Sequence, residues 1–231
     1  MVSIGITGQS GFIGTHLYNH LKIQLNDFTL IPFKDRYFDE QSLMDAFVSK
    51  CDTIVHLAAV NRHNDNEYLY KKNIDLVNQL IASCERTDSK PHIIFSSSIH
   101  ETMTSNYGKS KLRGKLILKE WSQTKGVHIS ALKIPNVYGP FCSPNYNSVV
   151  ATFCHKIAIG QIPEILNDSE VKLIHVSELV EMIGYQIQQV GRDGSNDAKY
   201  KEIDVSHTYK IFVSDLLALL LLWKQMYLEN G

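Results

Sequence analysis

The sequence predicts an α/β fold, a doubly wound parallel sheet with helices on both faces, and three observations carry that expectation. Short apolar runs alternate with longer amphipathic segments through the first 134 residues, the rhythm of strands covered by crossover helices. Three glycines cluster where the first apolar run gives way to the first amphipathic segment. Three serines close the fourth apolar run, at the kind of strand end where open α/β sheets hold ligands.

Taken in order, strands are expected over residues 2–7, 29–33, 53–57, 92–96 and 129–134, and helices over 12–25, 41–48, 67–86 and 107–124. Each strand-helix-strand step is right-handed by default, so the strands should line up in one Rossmann-type sheet. From Pro135 the pattern changes: a loop over 135–147, rich in Pro, Gly and Asn, leads to a helical stretch over 149–159. A single domain over 1–231 is therefore expected, in which 135–231 contributes a smaller substrate-side lobe. Residues 191–196 are the most turn-prone stretch, followed by a short strand and a last helix over 213–227. That helix is apolar nearly all round, which suits buried core or a subunit interface.

Composition excludes several classes. A chain of 231 residues with 44% hydrophobic content can bury one substantial core. Twenty-three basic against 24 acidic residues leave a formal charge of -1, with no basic stripe to neutralise a phosphate backbone, so nucleic acid is not an expected partner. Cys51, Cys84, Cys142 and Cys154 lie far apart without C-x-x-C spacing and read as free thiols in a reducing compartment. Met1 leads directly into an apolar strand with no basic, signal-like start. The longest apolar run, 216–223, is far shorter than the roughly 20 residues of a membrane span, so a cytoplasmic protein is expected. No H-E-x-x-H helix motif marks a metal, and no metal site is expected; no G-x-S-x-G elbow marks a hydrolase.

The glycines Gly8, Gly11 and Gly14 form G-x-x-G-x-x-G between the first strand and first helix. Such a turn needs glycine where φ is positive and where the backbone approaches a pyrophosphate. The helix start at Phe12 and Ile13 then offers N–H groups and a partial positive charge to phosphates. At the end of the second strand, Lys34 and Arg36 can neutralise a ribose 2′-phosphate, which favours NADP(H). Asp35 between them keeps NAD(H) open.

Y-x-x-x-K puts a phenol and an ammonium on one helix face, but it occurs three times: Tyr18 with Lys22, Tyr68 with Lys72, and Tyr107 with Lys111. Only Tyr107 opens a helix just after the serine run 96–98. A carbonyl receiving hydride needs a proton donor, and a free Tyr with a pKa of about 10 is poorly matched to neutral pH. The neighbouring Lys111 corrects this by favouring phenolate, while Ser98 orients the carbonyl oxygen. His100, in the loop after Ser98, is the histidine nearest the expected site.

Gly8-x-x-Gly11-Phe12-Ile13-Gly14, His56-Leu57-Ala58-Ala59, Ser96-Ser97-Ser98 and Tyr107-Gly108-Lys109-Ser110-Lys111, in this order, resemble the extended short-chain dehydrogenase/reductases that act on nucleotide sugars. The resemblance implies pyrophosphate contact at Gly8, Gly11 and Gly14, cofactor contact at Leu57 and Ala58, and catalysis by Ser98, Tyr107 and Lys111. Val60-Asn61-Arg62, Pro135-Asn136 and residues 144–154 further resemble the reductase domain of capsular-polysaccharide enzymes. That likeness implies NADPH reduction of a UDP-linked 4-keto-6-deoxy-N-acetylhexosamine, with Asn136 and Asn147 facing the nucleotide sugar and Arg62 contacting its phosphates or sugar. It also implies a homodimer through helices 67–86 and 107–124, with a separate epimerase as a further candidate partner. Those enzymes carry a cupin domain with epimerase activity, whereas this sequence stops at Gly231, so epimerisation is not carried over. Val171-Lys172-Leu173-Ile174-His175-Val176 resembles the Arg-Asp-Tyr-Ile-His-Val type motif of related epimerases without its arginine, and Lys172 reads either as a replacement for that phosphate contact or as a solvated lysine. The alternatives are an NAD-dependent nucleotide-sugar 4-epimerase and a non-catalytic NADP-binding partner subunit.

Overall fold

The computed structural model describes residues 2–23, 28–189 and 198–229, and two units can be distinguished in it. The first comprises Met1–Ile134 and Val180–Val205, the second Pro135–Leu179 and Ser206–Gly231. The described residues 180–189 and 198–205, expected in the smaller lobe, therefore belong with the first unit.

The first unit is built on a six-stranded sheet: β1 (Val2–Thr7), β2 (Phe28–Ile31), β3 (Thr53–His56), β4 (His92–Ser98), β5 (Ile129–Ile134) and β8 (Tyr200–Asp204). The strand order is β2-β1-β3-β4-β5-β8, and every pairing is parallel. Strands buried on both faces read as continuous apolar runs, and Ile4, Ile6, Ile54, Val55, Ile93, Ile94 and Leu132 accordingly lie in the core. The helices are α1 (Phe12–Ile23), α2 (Gln41–Val48), α3 (Asn66–Arg86) and α4 (Asn106–Lys125), and the chain re-enters through α6 (Val176–Gln189). After β1 the chain runs outward to β2 and then returns to β3 on the other side of β1, so the loops after β1 and β3 diverge at a switch point that opens a crevice.

Local chemistry sets the helix ends. Asp65 caps α3, accepting from the N–H groups of Glu67 at 2.8 Å and Tyr68 at 3.0 Å. Ser105 caps α4 through the Gly108 N–H at 3.1 Å, and Gly126 closes that helix at φ +69°. Gly114 lets α4 sit close to Phe95 of β4 and Val77 of α3, where an added Cβ would stand 3.2 Å from both side chains.

Three strand ends differ from expectation, β3 stopping at His56 rather than at residue 57. β2 stops at Ile31, because Pro32 has no N–H to give the ladder and Phe33 turns into the core, edge-on to Tyr37 and Phe38 and tilted against Phe47. β4 continues to Ser98, since its pairing with β5 runs through Ser98 and Ile134. The end of the first helix, expected to reach residue 25, and the stretch 191–196 lie outside the described residues.

In the second unit β6 (Asn136–Tyr138) pairs parallel with β7 (Glu170–His175), and β7 pairs antiparallel with β9 (Tyr209–Phe212). Phe153 and Ile157 of α5 (Val149–Ala158) pack in one cluster with Val213, Leu216 and Leu220 of α7 (Val213–Lys224). The last helix is thus not buried all round: Leu222 and Trp223 are 51% and 48% exposed, because α7 turns only one face inward.

Candidate active site

The glycine turn is held by its own backbone. Gly8 has φ +70°, where a side chain is strained, and its carbonyl oxygen accepts from the Gly11 N–H at 3.0 Å. A Cβ on Gly8 would stand 2.8 Å from the Ala58 nitrogen, and one on Gly14 would collide with the Gly8 carbonyl oxygen. Gly8, Gly11, Gly14, Leu57 and Ala58 therefore meet at the switch point between β1 and β3, with Phe12 and Ile13 opening α1 beside them. The side-chain-free backbone and the helix start make a cradle that fits a dinucleotide pyrophosphate.

A buried polar pair underpins this junction. Thr7 Oγ1 lies 2.8 Å from His56 Nδ1 and accepts from the Ala58 N–H at 3.4 Å. His56 is stacked on Phe95, its Nε2 meets no hydrogen-bonding partner, and burial together with the nearby Lys111 charge pushes its pKa down to about 3. It is neutral at physiological pH and serves packing and hydrogen bonding rather than proton transfer.

At the end of β2, Lys34 and Arg36 are exposed, and Arg36 Nε stands 3.9 Å from Glu40. Asp35 faces the glycine turn, accepting from Ser10 Oγ at 3.0 Å.

Ser98, Tyr107 and Lys111 sit on β4 and α4. Lys111 is 4% exposed; its Nζ donates to the Ser96 carbonyl oxygen at 2.8 Å and approaches Ser96 Oγ at 3.3 Å. The same ammonium lies 5.3 Å from the centre of the Phe95 ring and 5.8 Å from that of the half-buried Tyr107. Burial pulls the pKa of Lys111 down to about 8, so most of it still carries charge at pH 7. Ser98 is buried and ends β4; its Oγ accepts from the His100 N–H at 3.1 Å. That leaves the Ser98 hydroxyl proton for another acceptor. Among the three Y-x-x-x-K pairs, this is the one whose lysine is buried at the carboxyl end of the sheet.

Arg62 is exposed in the loop after β3. Asn136 and Asn147 belong to the second unit: Asn136 Nδ2 donates to the Lys172 carbonyl oxygen at 3.1 Å, while Asn147 is exposed just before α5. The Asn136 amide is thus already used between β6 and β7. Lys172 is exposed on β7.

Three features lie outside the sequence reading. Asn73 of α3 holds the loop after β3, accepting from the Val60 N–H at 2.7 Å and donating to the Val60 carbonyl and Ser110 Oγ at 3.0 Å each. Glu101 and Lys115 form a buried ion pair beside Ser98; the signal available was a second i,i+4 step, Tyr107-Lys111-Lys115, on one helix face. His16 and His20 stand four residues apart on α1, an H-x-x-x-H spacing that suits metal ligands. Among the described residues, no group of three His, Cys, Asp or Glu side chains that could hold a metal includes them.

The NAD dependent epimerase/dehydratase family model matches residues 4–200. The UDP-2-acetamido-2,6-beta-L-arabino-hexul-4-ose reductase of Pseudomonas aeruginosa is 32% identical over 179 residues, covering 76% of this chain and 46% of that protein. An N-acetyl-alpha-D-glucosaminyl-diphospho-ditrans,octacis-undecaprenol 4-epimerase of Escherichia coli O157:H7 is 26% identical over 213 residues, 80% of this chain and 63% of that protein. The chain thus spans less than two thirds of each relative's length. The crystal structure of the capsular polysaccharide assembling protein CapF from Staphylococcus aureus superposes with a TM-score of 0.78 at 29% identity, over 98% of this chain and 59% of that one. A UDP-N-acetylglucosamine 4-epimerase from Bacillus cereus gives the same TM-score at 17% identity over 95% of this chain and 81% of that one, a likeness of fold.

Proposed function

The chain belongs to the NAD dependent epimerase/dehydratase family, and from that premise we propose that it reduces the 4-keto group of a UDP-linked 4-keto-6-deoxy-N-acetylhexosamine with NADPH. The observation that carries the reading is Lys111, buried on the Ser96 carbonyl and beside the Tyr107 ring. The likeness to a reductase of a UDP-linked hexul-4-ose supports the substrate class.

The glycine cradle would hold a nicotinamide cofactor, whose chemistry there would be delivery of a hydride to the carbonyl carbon. Tyr107 gives its phenolic proton to the carbonyl oxygen, and the Lys111 ammonium eases that loss by stabilising the phenolate. Ser98, already accepting from His100, donates its own proton in a hydrogen bond to the same oxygen. Gly8, Gly11, Phe12, Ile13 and Gly14 would cradle the pyrophosphate, Leu57 and Ala58 would line the cofactor, and Lys34 with Arg36 would take a 2′-phosphate. Arg62, Asn136 and Asn147 serve the nucleotide sugar. A second cofactor reading, NAD(H), is favoured by Asp35, whose carboxylate faces the glycine turn through Ser10.

The protein is further proposed to act as a cytoplasmic homodimer in surface-polysaccharide precursor synthesis, alone or with a separate epimerase. No helix among the described residues is long and apolar enough to cross a membrane. Tyr70, Leu112 and Leu116 line a groove of about 420 Å³ on α3 and α4, together with Glu67, Asn106, Lys109 and Arg113, and a second copy of these helices is the proposed occupant.

The test is to mix the protein with NADPH and a freshly made UDP-4-keto-6-deoxy-N-acetylhexosamine and follow the loss of reduced-nicotinamide absorbance. Consumption with a reduced sugar product supports the reductase. With a UDP-N-acetylhexosamine and NAD offered instead, interconversion at C4 without net cofactor consumption supports the epimerase, and cofactor binding without turnover of either sugar supports the partner subunit.

A further inference from the structure

From Ser97, the neighbour of Ser98, runs a chain of polar side chains, buried at Ser97, Glu101 and Lys115, that the proposed reaction does not use. Glu101 lies in the short 3₁₀ turn Ile99–Thr102 and is 5% exposed. One of its carboxylate oxygens accepts from Ser97 Oγ and the other from Lys115 Nζ at 2.6 Å. Lys115, 6% exposed, also donates to Glu202 at 2.9 Å, and Glu202 accepts from the Tyr200 hydroxyl at 2.9 Å. The network joins β4, the 3₁₀ turn, α4 and β8.

Its placement gives it a consequence for the site. Lys115 is one turn beyond Lys111 on the helix face that begins at Tyr107. Glu101 lies in the turn whose first N-terminal neighbour is Ser98 and whose His100 N–H is bonded to the Ser98 hydroxyl. The backbone on this side is also close: a Cβ on Gly108 would collide with the His100 carbonyl oxygen. Burying a charged pair costs desolvation that only good geometry offsets, and such pairs are best explained by the register they specify. Burial works against the Lys115 charge, yet the hydrogen bonds it donates to Glu101 and Glu202 outweigh it and raise its pKa.

We propose that the Glu101–Lys115 pair is a positioning device that locks the turn carrying Ser98 to the helix carrying Tyr107 and Lys111, and so sets the Ser98 hydroxyl against the phenol. The inference rests on the reading of Ser98, Tyr107 and Lys111 as the reacting set. Glu101 and Lys115 bond to Ser97, Glu202 and each other.

The experiment compares wild type, Lys115→Met, Lys115→Arg, Glu101→Gln and Glu202→Gln, the first two also in a Ser98→Ala background. NADPH dissociation constants, kcat and KM with the UDP-4-keto sugar, and hydrogen exchange of the peptide spanning 96–104 are measured. In Lys115→Met and Glu101→Gln, kcat is expected to fall roughly tenfold to a hundredfold, the scale of a misplacement near 1 Å. NADPH affinity should stay unchanged, and exchange in 96–104 should rise while that of 8–14 does not. Lys115→Arg, which keeps a cation between the two carboxylates, recovers most of kcat. Adding Lys115→Met to Ser98→Ala should lower kcat no further, whereas a merely structural role would lower it in both backgrounds.

An unchanged kcat and unchanged exchange in Lys115→Met, or equal losses in both backgrounds, overturn the inference. If Lys115→Met does not fold, Glu202→Gln, which strips only the half-exposed partner, must give the same pattern at smaller amplitude, and its absence overturns the inference equally. Full activity of Ser98→Ala, or a wild type that never consumes NADPH, is instead a failure of the proposed function. In that case protection of 96–104 that depends on Lys115 still decides whether the lock exists.

Discussion

Lys111 donates to the Ser96 carbonyl oxygen at 2.8 Å, tying the helix that carries the phenol to the end of a central strand. The bond places an ammonium in the interior, and burial lowers its pKa from 10.5 to about 8. Below about pH 8 the folded and unfolded chains both carry the proton. Between about 8 and 10.5 the unfolded chain still holds a proton that the folded chain has released, so stability attributable to this group rises with pH. Urea unfolding at pH 8, 9 and 10 should give a wild-type stability that climbs, relative to Lys111→Met, by about 1.4 kcal/mol per pH unit across that window. A difference independent of pH would remove Lys111 as a buried titrating group.

Tyr107→Phe keeps the ring beside Lys111 and deletes only the proton donor. NADPH affinity should remain within a factor of about two, while turnover of the 4-keto sugar falls by on the order of 10² to 10⁴. Stopped-flow absorbance under single-turnover conditions isolates the chemical step, and a wild-type rate there would dismiss Tyr107 as the acid.

Gly14→Ala introduces a Cβ into the space of the Gly8 carbonyl oxygen and 2.8 Å from the Gln9 Cα. Both obstacles are backbone, so the turn itself must move. Overpacking of this kind costs about 1–3 kcal/mol, and cofactor affinity, read by calorimetry, should weaken by about tenfold or more as the cradle distorts. Gly11→Ala, whose Cβ would meet the Gly8 oxygen at 3.2 Å, should be clearly milder.

Leu112 and Leu116 are 37% and 44% exposed on the outer face of α4. If a second copy covers them, Leu112→Glu places an unpaired charge in that interface and should shift the molar mass measured by light scattering from dimer to monomer. The melting temperature should then lose its dependence on protein concentration. A monomeric wild type would end this reading of the groove.

The sequence by itself determined the parallel α/β fold and the glycine turn between β1 and α1, and it put Tyr107 and Lys111 one turn apart on one helix. Those signals are local or periodic: continuous apolar strands, helical i,i+4 spacing, and glycine where a Cβ has no room. Only the tertiary structure decided what pairs with what across the chain. The pairing of β8 with β5 joins residues 71 positions apart, the Asn73 clamp on Val60 joins residues 13 apart, and the Glu101–Lys115–Glu202 bridge joins residues 14 and 87 apart. Their charges and amides look like ordinary surface residues until packing strips away their water. The same holds for Phe33 and α7: the pattern gave each an apolar character, and packing chose the neighbours, because burial is a property of a surface that exists only once the elements have met.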